Sequence, residues 1–276
     1  MTVGVDTVKD LRERTGAGIM DCKAALKETN GDIEKAIDFL RKKGMASAAK
    51  RAGREAKEGM ILIRVEASKA AIVEVNCETD FVARTDDFKN LAGMAVDETF
   101  RLGNKAFESA KITDRVAELS GKIGEKIIVR RTQLVEASGA ALFHYVHANQ
   151  KLGVLVEISG PASQPAFAQL GKDIAMQVAA SNPVCIRRSE VPAAAVEREK
   201  AIYREEIKGK PENIVEKILA GKLDKFYQSA CLLEQPFIKD DKQSITKLVE
   251  QISKELGGTV EIRRFVRFQL GEQLAQ

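Results

Sequence analysis

His144 and His147 are the only imidazoles in a chain of 276 residues, so general-base or metal chemistry would run through them or through carboxylates and thiols. Their odd separation in an apolar, strand-like stretch sends the two rings to opposite faces, which spoils chelation. Cys22, Cys77, Cys185 and Cys231 are far apart in sequence and form no CxxC pair. They are expected to pack as small hydrophobes in a reducing compartment. Asp86 and Asp87 sit at an expected helix start, where stabilising the dipole is the simpler use of two carboxylates. The glycines of TGAG and GKIGEK match neither GxxxxGK[ST] nor GxGxxG, and no GxSxG or HExxH pattern occurs. The sequence thus predicts no bond chemistry, no metal and no cofactor. What remains is non-covalent. Thr79, Asp80, Phe81, Val82, Ala83 and Arg84 follow the strand pattern Ile72, Val73, Val75 and put a phenyl ring where a polar connection is expected. Such a ring is either a docking surface or a local core plug.

The segment needs elements to hold it, and the length allows two or three domains, since single cores rarely grow past about 250 residues. Residues 5–44 read as three short helices. The first carries Val5, Val8 and Leu11 and ends before Thr15–Gly18. The second has Ile19, Cys22 and Leu26 on its inner side. The third starts at an Asp32 N-cap, carries Ile33, Ala36, Ile37 and Leu40, and is expected to end at Gly44. About 40 residues make only a marginal core, so this unit is expected to be a recognition module. Met20 lies off the inner side and is either an exposed apolar contact or a core position at a ragged helix start.

From Gly59 the pattern changes to strands. Ile61–Glu66 and Ala71–Asn76 flank a turn at Ser68 and Lys69. Helical sequence with the stripe Phe88, Leu91, Ala92, Ala95 follows, and Ile127–Val129 opens a third strand. The order β-β-α-α-β then recurs in outline: Leu142–Val146, Val154–Ile158, a helix with Phe167, Leu170, Gly171, Ile174, and a closing strand Val260–Phe268. Aligning Glu74 of VEVN with Glu157 of VEIS puts Phe88 fourteen residues on and Phe167 ten residues on. The first copy therefore has four extra residues where TDFVAR lies, and function rather than chain closure should explain them. Between Ser189 and about Leu233 the second copy gains a helical pair, with Pro192 and Pro211 near the helix starts and Gly209 between them. Ala195, Ile202 and Tyr203 can face Ile214, Ile218 and Leu219 across it. This arm either joins two copies of the chain as a homodimer or packs on itself. The expected units are residues 1–54, 55–138 and 139–276, an α+β fold.

Charge adds little, because 44 basic residues against 40 acidic leave a net charge of only +4, which does not imply nucleic acid. The basic stretch Arg41–Lys57 places Lys50, Arg51, Arg54 and Lys57 on one helical side amid alanines. It reads as a solvated linker helix more than a phosphate-binding surface, since no aromatics interleave. No apolar run approaches the roughly 18 residues of a membrane span. Asp6, Lys9 and Asp10 break any secretory signal, so the cytoplasm is expected.

Five segments, LRERTGAGIMDCKAAL (Leu11–Leu26), NGDIEKAI (Asn30–Ile37), VNCETDFVAR (Val75–Arg84), DIAMQVAAS (Asp173–Ser181) and QPFIKD (Gln235–Asp240), resemble the elongation factor Ts family of bacterial guanine nucleotide exchange factors. The resemblance implies a three-helix module similar to ubiquitin-associated domains, then a duplicated antiparallel-sheet-plus-helices core with a helical hairpin arm. The implied partner is elongation factor Tu bound to GDP. Magnesium and GDP would be displaced and the nucleotide-free state held until GTP binds. By the family pattern Arg12, Ile19 and Met20 touch the partner's nucleotide domain. Asp80 and Phe81, with Thr79 and Val82, enter between two helices of that domain near magnesium and phosphate. His147 makes a second contact on another domain. Three departures stand out: Thr85 where Asn is common, Lys151 where Arg is common, and GEQLAQ where GEGIE usually continues. A non-exchanging RNA- or ribosome-associated protein using the basic stretch is the alternative, and it predicts strongly salt-dependent RNA affinity.

Overall fold

The computed structural model describes residues 4–209 and 211–274. Its first unit is α1 (Val5–Thr15), α2 (Ile19–Glu28) and α3 (Ile33–Arg51) around a small core of Leu11, Cys22, Leu26 and Ala36. Asp32 caps α3 by accepting from Lys35 N at 3.0 Å. Val5 and Ile19, expected to face inward, are exposed.

The first half of the core runs β1 (Glu58–Glu66), β2 (Lys69–Cys77), the single turn α4 (Asp80–Ala83), α5 (Asp86–Leu102), a 3₁₀ stretch (Gly103–Glu108), α6 (Ala110–Ile123) and β3 (Ile128–Glu136). The second runs β4 (Ala141–Val146), β5 (Leu152–Ser159), α7 (Pro165–Ser181), the arm α8 (Ala193–Glu206) and α9 (Glu212–Ala230), a small hairpin β6 (Pro236–Phe237) and β7 (Asp240–Ser244), α10 (Ile245–Leu256) and β8 (Glu261–Gln269). The α+β class and the duplication are as the sequence predicts; α10 and the β6–β7 hairpin are additions. Both three-stranded sheets, β1-β2-β3 and β4-β5-β8, are antiparallel. They face each other across Ile61, Ile63, Ile72, Leu155 and Phe268. The approach is close at Gly153, where a Cβ would stand 2.6 Å from Ile61 Cγ2. On the outer faces α5 and α6 cover the first sheet with Phe88 and Leu91. Helices α7 and α10 cover the second with Phe167, Ile174 and Leu248. Among the described residues no helix is long and apolar enough to cross a membrane.

Duplication reaches single side chains. The ladder slips by one residue after Glu74 in one sheet and after Glu157 in the other. Both carboxylates are buried, and each accepts from an arginine of the third strand: Arg131 Nε to Glu74 at 2.6 Å, Arg264 Nε to Glu157 at 2.5 Å.

Further expectations need correcting. Gly44 does not end the third helix, which runs on to Arg51. It lies where α6 crosses α3, and a Cβ on Gly121 would come within 2.9 Å of Gly44 Cα. Both glycines are there because two backbones nearly touch. Arg41 pairs with Asp114, Arg51 Nη1 donates to Ser120 O at 3.2 Å, and Arg54 pairs with Glu78 at 3.1 Å. The stretch is thus helical to Arg51 and docked on the core through Arg41, Arg51 and Arg54, while Lys50 and Lys57 stay exposed. In the arm, Leu219 is buried and Tyr203 half-buried, but Ile202 and Ile214 are exposed. A two-helix hairpin has one seam, and these two isoleucines lie off it. At its base Cys185 and Cys231, distant in sequence, meet with Sγ atoms 3.7 Å apart as free buried thiols.

Candidate functional site

Strand β2 stops at Cys77, and Thr79 takes an extended conformation with φ −124° and ψ 153° as N-cap of α4. Its Oγ1 accepts from Val82 N at 3.5 Å. Thr85 then caps α5, accepting from Phe88 N at 3.3 Å while its hydroxyl donates to Val82 O at 2.8 Å. The threonine at position 85 thus supplies the capping oxygen of α5.

Between these caps, Val82 turns inward and is only 7% exposed, joining Met60, Val75 and Phe88 in the first core. Adjacent residues on a helix point about 100° apart, so anchoring Val82 leaves Phe81 outside, 80% exposed. Phe81 is no core plug. Val82 itself serves as the anchor of the turn rather than as free surface. Asp80 is half-buried and pairs with Arg84 at 2.8 Å.

The turn is held from behind. Glu125, in the link between α6 and β3, accepts from Glu78 N and Thr79 N at 3.1 Å each and from Thr79 Oγ1 at 2.6 Å. Glu78 in return accepts from Lys126 N at 2.6 Å and from Arg54 Nη1 at 3.1 Å. The Lys126 amide, and then the Arg54 guanidinium, hold the Glu78 carboxyl below its usual range, so it is charged at neutral pH. Cys77 Sγ donates to Thr79 O at 3.1 Å. Burial, reinforced by the Glu125 charge, pushes that thiol up to about 12, so it keeps the proton it donates.

The first module sits beside this turn. Lys122 of α6 pairs with Asp87 at 2.8 Å, and the same side chain lies against Gly16, where a Cβ would meet Lys122 Cε at 2.5 Å. Gly16 precedes Ile19 and Met20, which open α2 and are 53% and 75% exposed; Arg12 is exposed on α1. The ragged-core alternative for Met20 is therefore excluded. His147 stands apart on the second half, exposed just after β4. Its Nδ1 lies 3.2 Å from Asn149 Oδ1, and its ring meets Tyr145 edge-on at 6.3 Å. Nearby, Lys151 pairs with Glu58 at 2.6 Å. The structure thus brings Thr79–Val82 together in one turn, adds the α1–α2 corner through Lys122, and leaves His147 on the other half. Glu125, Glu78 and Lys122 escape sequence reasoning because their partners are remote. Among the described residues no three His, Cys, Asp or Glu side chains gather as a metal site.

A family model described as Elongation factor TS matches residues 78–272. Elongation factor Ts of Prosthecochloris aestuarii is 46% identical over 98% of this chain and 99% of its own length. The proteins of that name from Chloroherpeton thalassium and Clostridium perfringens are 44% and 43% identical over 98% and 96% of this chain, and 99% and 92% of their own lengths. Likeness of this extent covers the capped turn and both halves of the core, with the arm that the second half carries, and on it the chain belongs to the elongation factor Ts family.

Proposed function

We propose that this chain is the guanine nucleotide exchange factor of elongation factor Tu in translation elongation. It binds the GDP-bound partner, displaces magnesium and GDP, and holds the nucleotide-free state until GTP binds. The observation that carries the reading is Phe81, a phenyl ring 80% exposed on a turn tied down at both ends, in a chain of this family. A lone exposed apolar side chain is ordinary on a protein surface; what supports the reading is that this one sits on a doubly capped turn in a chain of this family.

No bond chemistry is needed. A factor that prefers the nucleotide-free conformation weakens nucleotide by the same coupling that nucleotide exerts on the factor. Burial of one phenyl ring contributes about 2 to 3 kcal/mol, as large as a typical allosteric coupling of about 1 to 3 kcal/mol. With Asp80 and Phe81 between two helices of the partner's nucleotide domain, those helices move and the magnesium they hold shifts. The diphosphate then loses its counter-charge. Arg12, Ile19 and Met20 dock on the same domain, and His147 docks on another. The test mixes catalytic amounts of the chain with elongation factor Tu carrying fluorescent GDP in excess unlabelled GDP. Release well above the spontaneous rate is expected; release at the spontaneous rate refutes the function.

A further inference from the structure

We infer that Glu125 is the positioning residue that aims Phe81. The inference rests on the exchange reading above and concerns how the same turn is held.

A single helical turn cannot hold itself, because nucleation fixes several residues for each hydrogen bond gained. Helix α4 has four residues, Asp80–Ala83. At its entry, the backbone N–H groups of Glu78 and Thr79 both go to one carboxylate. Glu125 takes both backbone N–H groups on Oε2 and the threonine hydroxyl on Oε1. The hydroxyl has one proton. Once that proton points to Glu125, its lone pairs are left to face Val82 N, which is the capping bond itself. The charge on Glu125 therefore orients the cap, the cap winds the turn, and the turn puts Val82 in and Phe81 out.

The clasp is reciprocal and anchored. Glu125 accepts from the Glu78 backbone and Glu78 accepts from the Lys126 backbone, so the two connections lock side chain to main chain in both directions. Ser120 Oγ donates to Glu125 O at 2.5 Å, fixing the link to the end of α6. Lys126 Nζ donates to Ala52 O and Arg54 O at 2.6 and 2.7 Å, fixing it to the exit of α3. Glu125 thus sits between the first module and the ring.

Four variants test this in the fluorescent-GDP release assay with elongation factor Tu: Phe81→Ala, Glu125→Ala, Glu125→Gln and the double Phe81→Ala/Glu125→Ala. Glu125→Ala should lower the maximal release rate about tenfold, the scale of losing charge-assisted hydrogen bonds. KM for the partner should move less than about twofold, because the other contact faces are untouched. Glu125→Gln keeps one accepting oxygen for the two N–H groups but turns an NH2 toward the Thr79 hydroxyl, so its rate should fall between the parent and Glu125→Ala. The double variant should be no slower than Phe81→Ala alone, since Glu125 acts through the ring. Parental rates in Glu125→Ala, or losses that multiply in the double variant, overturn the inference. If Glu125→Ala melts early by circular dichroism, Thr79→Val removes the hydroxyl at constant size. A parental rate there, with an intact melt, also overturns it. Should Phe81→Ala itself release GDP at the parental rate, the exchange site is misplaced and this inference falls with it. A slow Phe81→Ala beside a parental Glu125→Ala sinks the positioning role alone.

Discussion

Residues 78–85 and residues 160–164 join the same strand to the same helix in the two halves of the core. Only the first connection presents a large apolar side chain to solvent. The second closes by the shortest route: Gly160 packs so tightly that a Cβ would stand 2.6 Å from the Phe167 ring, and Pro165 starts α7 directly. The first spends a threonine cap, a second threonine cap and a remote carboxylate on holding Phe81 in water. On one repeated scaffold, one loop is a closure and its counterpart is a presented surface.

The buried carboxylates sharpen the comparison most. Glu74 is fully buried and serves Arg130, Arg131 and the Gly271 amide, while Arg131 also grips Glu272 at 2.6 Å. The end of the second half is thereby tied to the first. Glu157 serves Arg264, whose side chain is 46% exposed. Glu74→Gln should therefore cost about 3 to 5 kcal/mol, the range for breaking a buried ion pair. Glu157→Gln should cost about 1 to 3 kcal/mol, because water takes up part of the freed guanidinium. Urea melts of the two variants test the order, and equal losses would mean that the chain end contributes nothing at Glu74.

Next in size is the ring. Phe81→Ala should slow the GDP release that this chain stimulates from elongation factor Tu about 30- to 150-fold, the kinetic equivalent of about 2 to 3 kcal/mol of lost burial. The thermal melt should hold, since the side chain touches little of its own protein. A smaller effect is expected at the helix crossing. Gly121→Val should destabilise the packing of α3 on α6 by about 1 to 3 kcal/mol through overpacking. Limited proteolysis near residue 52 should then be faster while the sheets stay protected. Undiminished protection would mean that the crossing relaxes freely.

Much of this organisation was legible. Paired spacings from Glu74 to Phe88 and from Glu157 to Phe167 reveal the duplication, because buried positions on a strand and a helix cannot shift without changing face. The same spacings locate the extra length at Phe81. Gly44 misled, since a glycine after an apolar stripe looks alike whether it ends a helix or admits a neighbour. The counterpart of α6 in the second half, α10, is obscured because the arm separates it from α7. Glu125 could not be found locally: its partner Thr79 is 46 residues away, and a lone Glu after a glycine has no pattern.

The smallest predicted effect contrasts two aligned positions, Glu98 in α5 and Gln177 in α7, each ten residues after its phenylalanine. Gln177 is neutral and bonded to Ser181, Gln235, Pro236 and Ile238. Glu98 instead accepts from Arg101, at 2.6 Å, and from Lys111, at 2.9 Å. Arg101 first and then Lys111 lower its carboxyl from 4.5 to about 2. A carboxyl lowered on folding contributes stability that is complete above its unfolded value, near 4.5, and is lost as pH falls through the folded value. The first half should therefore weaken between pH 4.5 and about 2, while Gln177 gives the second half no such dependence. Both cations are more than half exposed, so solvent and salt screen the pair and the shift stays modest. Thermal melts by circular dichroism across that window should fall less steeply for Glu98→Gln than for the parent. An unchanged slope would place the acid sensitivity elsewhere and remove this difference between the halves.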